Sequence, residues 1–110
     1  MEIALSKANI RKAALADAGA LFIGCARLLP DNQAERRDSL VKQSERLFQI
    51  SMQSDEPKDY VLFQWARAKA GMADYRGAWD KIKELKRITG KAPPEEFVRR
   101  LQQQMPEPRD

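Results

Sequence analysis

Residues 55–90, DEPKDYVLFQWARAKAGMADYRGAWDKIKELKRITG, leave few choices of fold. Asp55 stands where a carboxylate can accept from the orphan N–H groups of a first helical turn, and Pro57 where a missing N–H costs nothing. Glu56 and Asp59 add negative charge at the positive end of the helix dipole. Tyr60, Val61, Leu62, Phe63, Trp65, Ala66, Ala68 and Ala70 then run round most of the circumference. Such a helix needs neighbours on more than one side. Gly71 and Ala73 end it, and Asp74 is placed to cap the next. Tyr75, Ala78, Ile82, Leu85 and Thr89 recur at three- and four-residue steps, a single stripe on one helix face. Gly90 is a natural stop, and Pro93 and Pro94 prevent continuation. The segment therefore predicts two antiparallel helices joined by a tight turn.

The flanking sequence reads as packing for that hairpin. Ser6 can cap a first helix running to about Leu29. Ile10, Ala14, Leu21, Cys25 and Leu28 mark one stripe, and Leu15, Ala18, Phe22 and Leu29 an adjacent one, predicting a broad buried face. Ala16, Ala20 and Gly24 form a small-residue ridge that permits close helix approach. Gly19 and Gly24 each weaken the helix by about 1 kcal/mol relative to alanine, so packing must compensate or the helix must bend near Gly19. Pro30 breaks the chain. Asn32 followed by Glu35 fits a capping box for a second helix over about residues 33–52, with Leu40, Val41, Leu47, Phe48, Ile50 and Met52 apolar and residues 33–39 projecting into solvent. After Pro94, Phe97, Val98, Leu101 and Met105 predict a fifth helix, a cap over the exposed side of the fourth. The expected architecture is all-α, about five helices, one domain over residues 1–105 with a flexible tail over 106–110. Alternating Val/Ile/Thr runs and Asn-Gly or Asp-Gly turns are missing, which argues against strands.

Several chemistries are disfavoured by what the chain lacks. With no histidine, it has neither the usual general base at neutral pH nor the commonest metal ligand. A single cysteine makes no zinc site and no intrachain disulfide, and fits a reducing, cytoplasmic setting. Cys25, among Leu21, Phe22, Leu28 and Leu29, is expected to be a small core hydrophobe. The glycines form no phosphate-cradling loop. Catalytic residues, metals and cofactors are accordingly expected to be none. No signal peptide is evident at the N-terminus, and the most apolar stretch, residues 13–29, carries Asp17 and Arg27 and is too short to span a bilayer.

The hairpin resembles a tetratricopeptide repeat, a loose signature of about 34 residues in two helices. With Tyr75 and Ala78 on the family's turn tyrosine and second-helix alanine, Leu62 and Trp65 fall on large core positions without gaps. Ala66 then falls on a small position, and Ile82 and Leu85 on the inner face. Small residues at 66 and 78 let two helix backbones approach closely. Lys69 departs from the family's frequent aromatic, Ala73 from its glycine and Gly90 from its proline. At a coarser level, DYVLFQWARAKAGMADYRGAW also resembles the second repeat of the tail-anchored mitochondrial fission adaptor family; the polar MPEPRD end does not resemble that family's anchor. The repeat resemblance implies stacked antiparallel hairpins in a short right-handed array. It also implies a non-catalytic interaction module (an adaptor, chaperone or assembly subunit) that binds a peptide or partner helix in a groove. Tyr60, Phe63, Gln64 and Arg67 would face that groove, unless Tyr60 and Phe63 pack on the first two helices. Two repeats are few for a free-standing array, so self-association or a permanent protein partner is expected.

Two further features stand out. Trp79 lies off the main stripe, flanking Tyr75 and Ile82, and either covers the fifth helix or marks an interface. Residues 81–91 carry five cations against Glu84, an excess equal to the net charge of the whole chain, +4. Lys83, Lys86, Arg87 and nearby Lys91 form a candidate basic patch for nucleic acid or an anionic surface, the alternative function. No interleaved aromatics suit base stacking, so nucleic acid is the less expected partner.

Overall fold

The structure is a computed structural model that describes residues 14–109. The described residues form five α-helices and no strand: α1 (Ala14–Leu28), α2 (Ala34–Gln53), α3 (Lys58–Gly71), α4 (Tyr75–Thr89) and α5 (Glu95–Gln104), with a 3-10 turn at Asp31–Gln33. They span 46 × 35 × 23 Å, so the short dimension holds two helix layers. The expectations for Ser6 and Ile10 lie outside the described residues. α1 pairs with α2 and α3 with α4, and α3 also packs on α1 and α2.

α3 is shared by two cores. Leu62 and Trp65 join Phe48, Ile23, Ala16 and Leu85 in the first; Ala66 joins Ala78, Trp79, Ile82 and Leu101 in the second. This explains why its apolar residues surround the helix. Ala66 and Ala78 have no exposed surface, as the close approach of two helices requires. Trp65 stacks on Phe48 with centroids 5.4 Å apart, and Lys81 Nζ lies 3.7 Å from the Trp65 ring centroid. The Trp65 indole N–H donates to Glu45, which also pairs with Lys69 at 2.6 Å. Burial opposes the Lys69 charge, but Glu45 and Asp74 outweigh it and raise the ammonium pKa. Lys69 thus ties α3 to α2 and to the α3–α4 turn.

α1 faces the core with a different side from the one expected. Ala16, Gly19, Ile23 and Ala26 are buried, whereas Leu21 is 70% and Leu28 87% exposed, and Cys25 is exposed. The contact is made by small residues. A Cβ at Gly19 would lie 3.0 Å from the Phe48 ring, and Ser44 Oγ donates to the Gly19 carbonyl. Gly19 is thus held by packing. Of the proposed ridge, Ala16 is buried and Ala20 half-buried, while Gly24 is exposed with open space about it.

The helix ends also differ in part. The Asn32/Glu35 capping box does not form, because the 3-10 turn precedes α2 and its N-cap position, Gln33, makes no side-chain cap bond. Arg37 instead reaches back to the carbonyls of Leu29 and Pro30. Asp55 is exposed, and Pro57 occupies the α3 N-cap position without a side-chain bond. Glu56 turns away from α3. It is 4% exposed and accepts from the backbone N–H groups of Leu15 at 3.2 Å and Ala16 at 3.1 Å, in the first turn of α1, and from Ser51 Oγ at 2.8 Å. Lys58 Nζ donates to the Met52 and Ser54 carbonyls at the end of α2. The α2–α3 connection therefore serves three helix ends at once.

Asp74 caps α4 by accepting from the Gly77 N–H, and a Cβ at Gly77 would lie 2.5 Å from the Asp74 carboxylate. Gly90 closes α4 in the left-handed conformation, φ 69°. Ala73, at φ 63°, is in the same region without being glycine. Its side chain is exposed, so replacement loses no packing. Ala73→Gly is expected to stabilise the protein by about 0.5–1 kcal/mol, the left-handed penalty less the greater chain entropy of glycine. A thermal melt should show the midpoint rise by a few degrees; an unchanged or lower midpoint would remove strain at Ala73 from the account.

Candidate functional site: a groove along α3

Tyr60, Phe63, Gln64 and Arg67 share one face of α3 by their three- and four-residue spacing. The structure joins them. Tyr60 OH donates to Asp17 of α1, Gln64 donates to the Tyr60 oxygen at 2.8 Å, and Arg67 donates to Gln64 at 3.3 Å. The Arg67 guanidinium also lies 5.7 Å from the Phe63 ring centroid. Burial, reinforced by the hydrogen bond to the Asp17 carboxylate, raises the Tyr60 pKa. The result is a polar line from α1 along α3, with Tyr60 and Arg67 exposed and Gln64 half-buried.

Phe63 packs edge-to-face on Phe97 of α5, centroids 5.4 Å apart. Each ring forms part of the wall of a different cavity. One cavity, about 230 Å³, is lined by Tyr60, Phe63 and Leu85 with Pro93 and Pro94. Its rim holds the Lys91–Asp59 ion pair at 2.7 Å, and the bond from Lys91 holds the Asp59 carboxyl below its usual range. The other cavity, about 480 Å³, lies between the end of α3 and α5 and is lined by Ala70, Gly71, Tyr75, Phe97, Arg100, Leu101, Gln103 and Gln104. Such a lining, largely apolar with a few polar groups, suits recognition of an apolar side chain with a polar neighbour.

The other candidate residues separate. Trp79 is 3% exposed, and its indole N–H donates to the Met105 carbonyl at 2.9 Å, so it secures α5 and leaves almost no surface for an interface. Lys83, Lys86 and Arg87 share the exposed outer face of α4. Lys91 leaves that patch for Asp59, and Lys81 is drawn onto Trp65. Residues 106–109 follow α4 back: Glu107 N–H donates to Gln102, and Glu107 and Pro108 line a small cavity with Trp79, Asp80 and Lys83. Asp17, Phe97 and Arg100 were not among the expected site residues. The i, i+3 spacing of Phe97 and Arg100 on an amphipathic helix was the available signal.

Among the described residues no helix is long and apolar enough to cross a membrane, and no three His, Cys, Asp or Glu side chains gather as metal ligands. In comparisons with known proteins, no family model, no curated protein and no solved structure matches the chain.

Proposed function

We propose that this protein is a non-catalytic protein–protein interaction module, an adaptor, chaperone or assembly subunit, that holds a peptide or partner helix in a tetratricopeptide-like groove along α3. The observation that carries this reading is the continuous line Asp17–Tyr60–Gln64–Arg67, together with the cavity between the end of α3 and α5. Apolar anchors of the partner would enter the cavity, where the half-buried Tyr75 and Phe97 lose water on contact. Arg67 and Arg100 would select a carboxylate-bearing segment by charge-assisted hydrogen bonds. A reducing, cytoplasmic setting belongs to the same proposal, supported by the lone cysteine.

The test is capture of partners from the source extract by wild type and by Arg67→Glu, at low and high salt, with bound species identified. One protein held at both salt concentrations and weakened at least about tenfold by Arg67→Glu is the expected result. Arg67 is exposed, so the variant should keep the wild-type melt. Identical capture by both proteins would remove the groove from consideration. The alternative reading, an anionic-surface or nucleic-acid binder, rests on Lys83, Lys86 and Arg87 sharing the outer face of α4. Captured nucleic acid that disappears at high salt would favour it.

A further inference from the structure

α1 is apolar on both sides, yet the described residues cover only one. Ala16, Gly19, Ile23 and Ala26 face α2 and α3, while the opposite face carries Leu21, Gly24, Cys25 and Leu28, all exposed. Leu21 and Leu28 are the most exposed large hydrophobic residues among those described. A helix that is apolar all round is ordinarily covered all round. We infer that a second copy of this chain covers this face, through an antiparallel pairing of the two α1 helices about a two-fold axis.

Two observations select a second copy. The face carries no charge from Ala18 to Cys25 or at Leu28, so it can meet itself without like-charge repulsion; the outer face of α4, with Lys83, Lys86 and Arg87, cannot. Its pattern is self-complementary. Leu21 and Leu28 flank Gly24 and Cys25 symmetrically, so an axis at Gly24–Cys25 sets Leu21 of each copy against Leu28 of the other, the reciprocity that a two-fold interface requires.

Each α1, 15 residues, is about 22 Å long, and two such helices crossing would bury on the order of 800–1,000 Å², below the roughly 1,200–2,000 Å² of stable specific interfaces. The dimer is therefore weak and reversible. The axis also fixes the thiols. Both Cys25 side chains emerge on the same side of the seam, nearly level with each other, within reach of a disulfide under an added oxidant.

Light scattering on the full chain should give a mass rising from 12.6 kDa towards twice that value as concentration increases. Copper–phenanthroline oxidation should then link Cys25 to Cys25 across the seam at least ten times faster than it links a control cysteine, Ser39→Cys in a Cys25→Ser background, on an exposed face of α2. Leu21→Glu with Leu28→Glu should abolish both signals while leaving the helical circular dichroism unchanged. Should the pair disturb folding, Leu28→Ser alone tests the same point at the more exposed residue. A monomer at every concentration, with Cys25 linking no faster than the control, overturns the inference. Maleimide labelling then names the occupant: shielded Cys25 that opens when residues 1–13 are deleted means the chain's own N-terminal segment, and freely labelled Cys25 a face left for another protein.

Discussion

Replacing Glu56 by alanine is expected to destabilise the protein by about 3 kcal/mol, although Glu56 lies in a connection between helices. Its carboxylate is buried and accepts from Leu15 N–H, Ala16 N–H and Ser51 Oγ. Alanine removes all three bonds, leaving two backbone donors in the first turn of α1 unsatisfied where the helix dipole favours negative charge. Water cannot readily reach the Ala16 donor, because Ala16 and Ser51 have no exposed surface. Glu56→Gln should cost less, since the amide keeps one acceptor oxygen in place. For a domain of this length a loss of 3 kcal/mol lowers the melting midpoint by roughly 15 °C. Urea unfolding with an unchanged slope would assign the loss to the native contacts. A shift below about 1 kcal/mol for the alanine variant would mean that the three bonds are replaced by water at little cost.

Trp65→Ala should be at least as damaging, about 4 kcal/mol. The indole is 6% exposed, stacked on Phe48 from α2, covered by the Lys81 ammonium from α4 and bonded to Glu45. Truncation leaves a cavity in the first core and removes a partner from Glu45. Trp65→Phe keeps the stacking and should cost about 1–2 kcal/mol, chiefly the lost indole hydrogen bond. Because α3 serves both cores, the loss should propagate. Trp79, the remaining tryptophan, sits in the second core and reports on it by fluorescence. Its unfolding midpoint should fall together with the helical signal. If the Trp79 transition stays at the wild-type midpoint, α4 and α5 form a separate unit and the shared role of α3 is wrong.

The α3–α4 hairpin is legible in the sequence because its signals agree. The Asp74 cap, the Gly90 stop and the buried positions Leu62, Ala66, Ala78, Ile82 and Leu85 all follow from local spacing. α1 reads less well, since its pattern has two apolar faces and periodicity cannot say which one meets α2. The choice is made by Gly19 against the Phe48 ring and Ser44 on the Gly19 carbonyl, a fit of small residues that a search for large hydrophobic ones overlooks. Glu56 reads as a dipole charge for α3 because two of its three partners, the Leu15 and Ala16 N–H groups, are about 40 residues away. At the candidate site, the Tyr60–Gln64–Arg67 line is visible as helical spacing. Asp17 joins that line, and Phe97 joins Phe63, only through tertiary packing.

The bonds that the Leu15 and Ala16 N–H groups donate to Glu56 also set an order on synthesis. As the chain leaves the ribosome, α1 emerges before α2 and α3, and the acceptor for the N–H groups of its first turn follows some forty residues later. Until then those donors are left to water, and α1 and α2 form a hairpin whose first turn is still unfastened. Closing this long loop carries an entropy cost that the local contacts of a single hairpin avoid. The first hairpin is thus completed by the opening residues of the second, and the two mature as one unit.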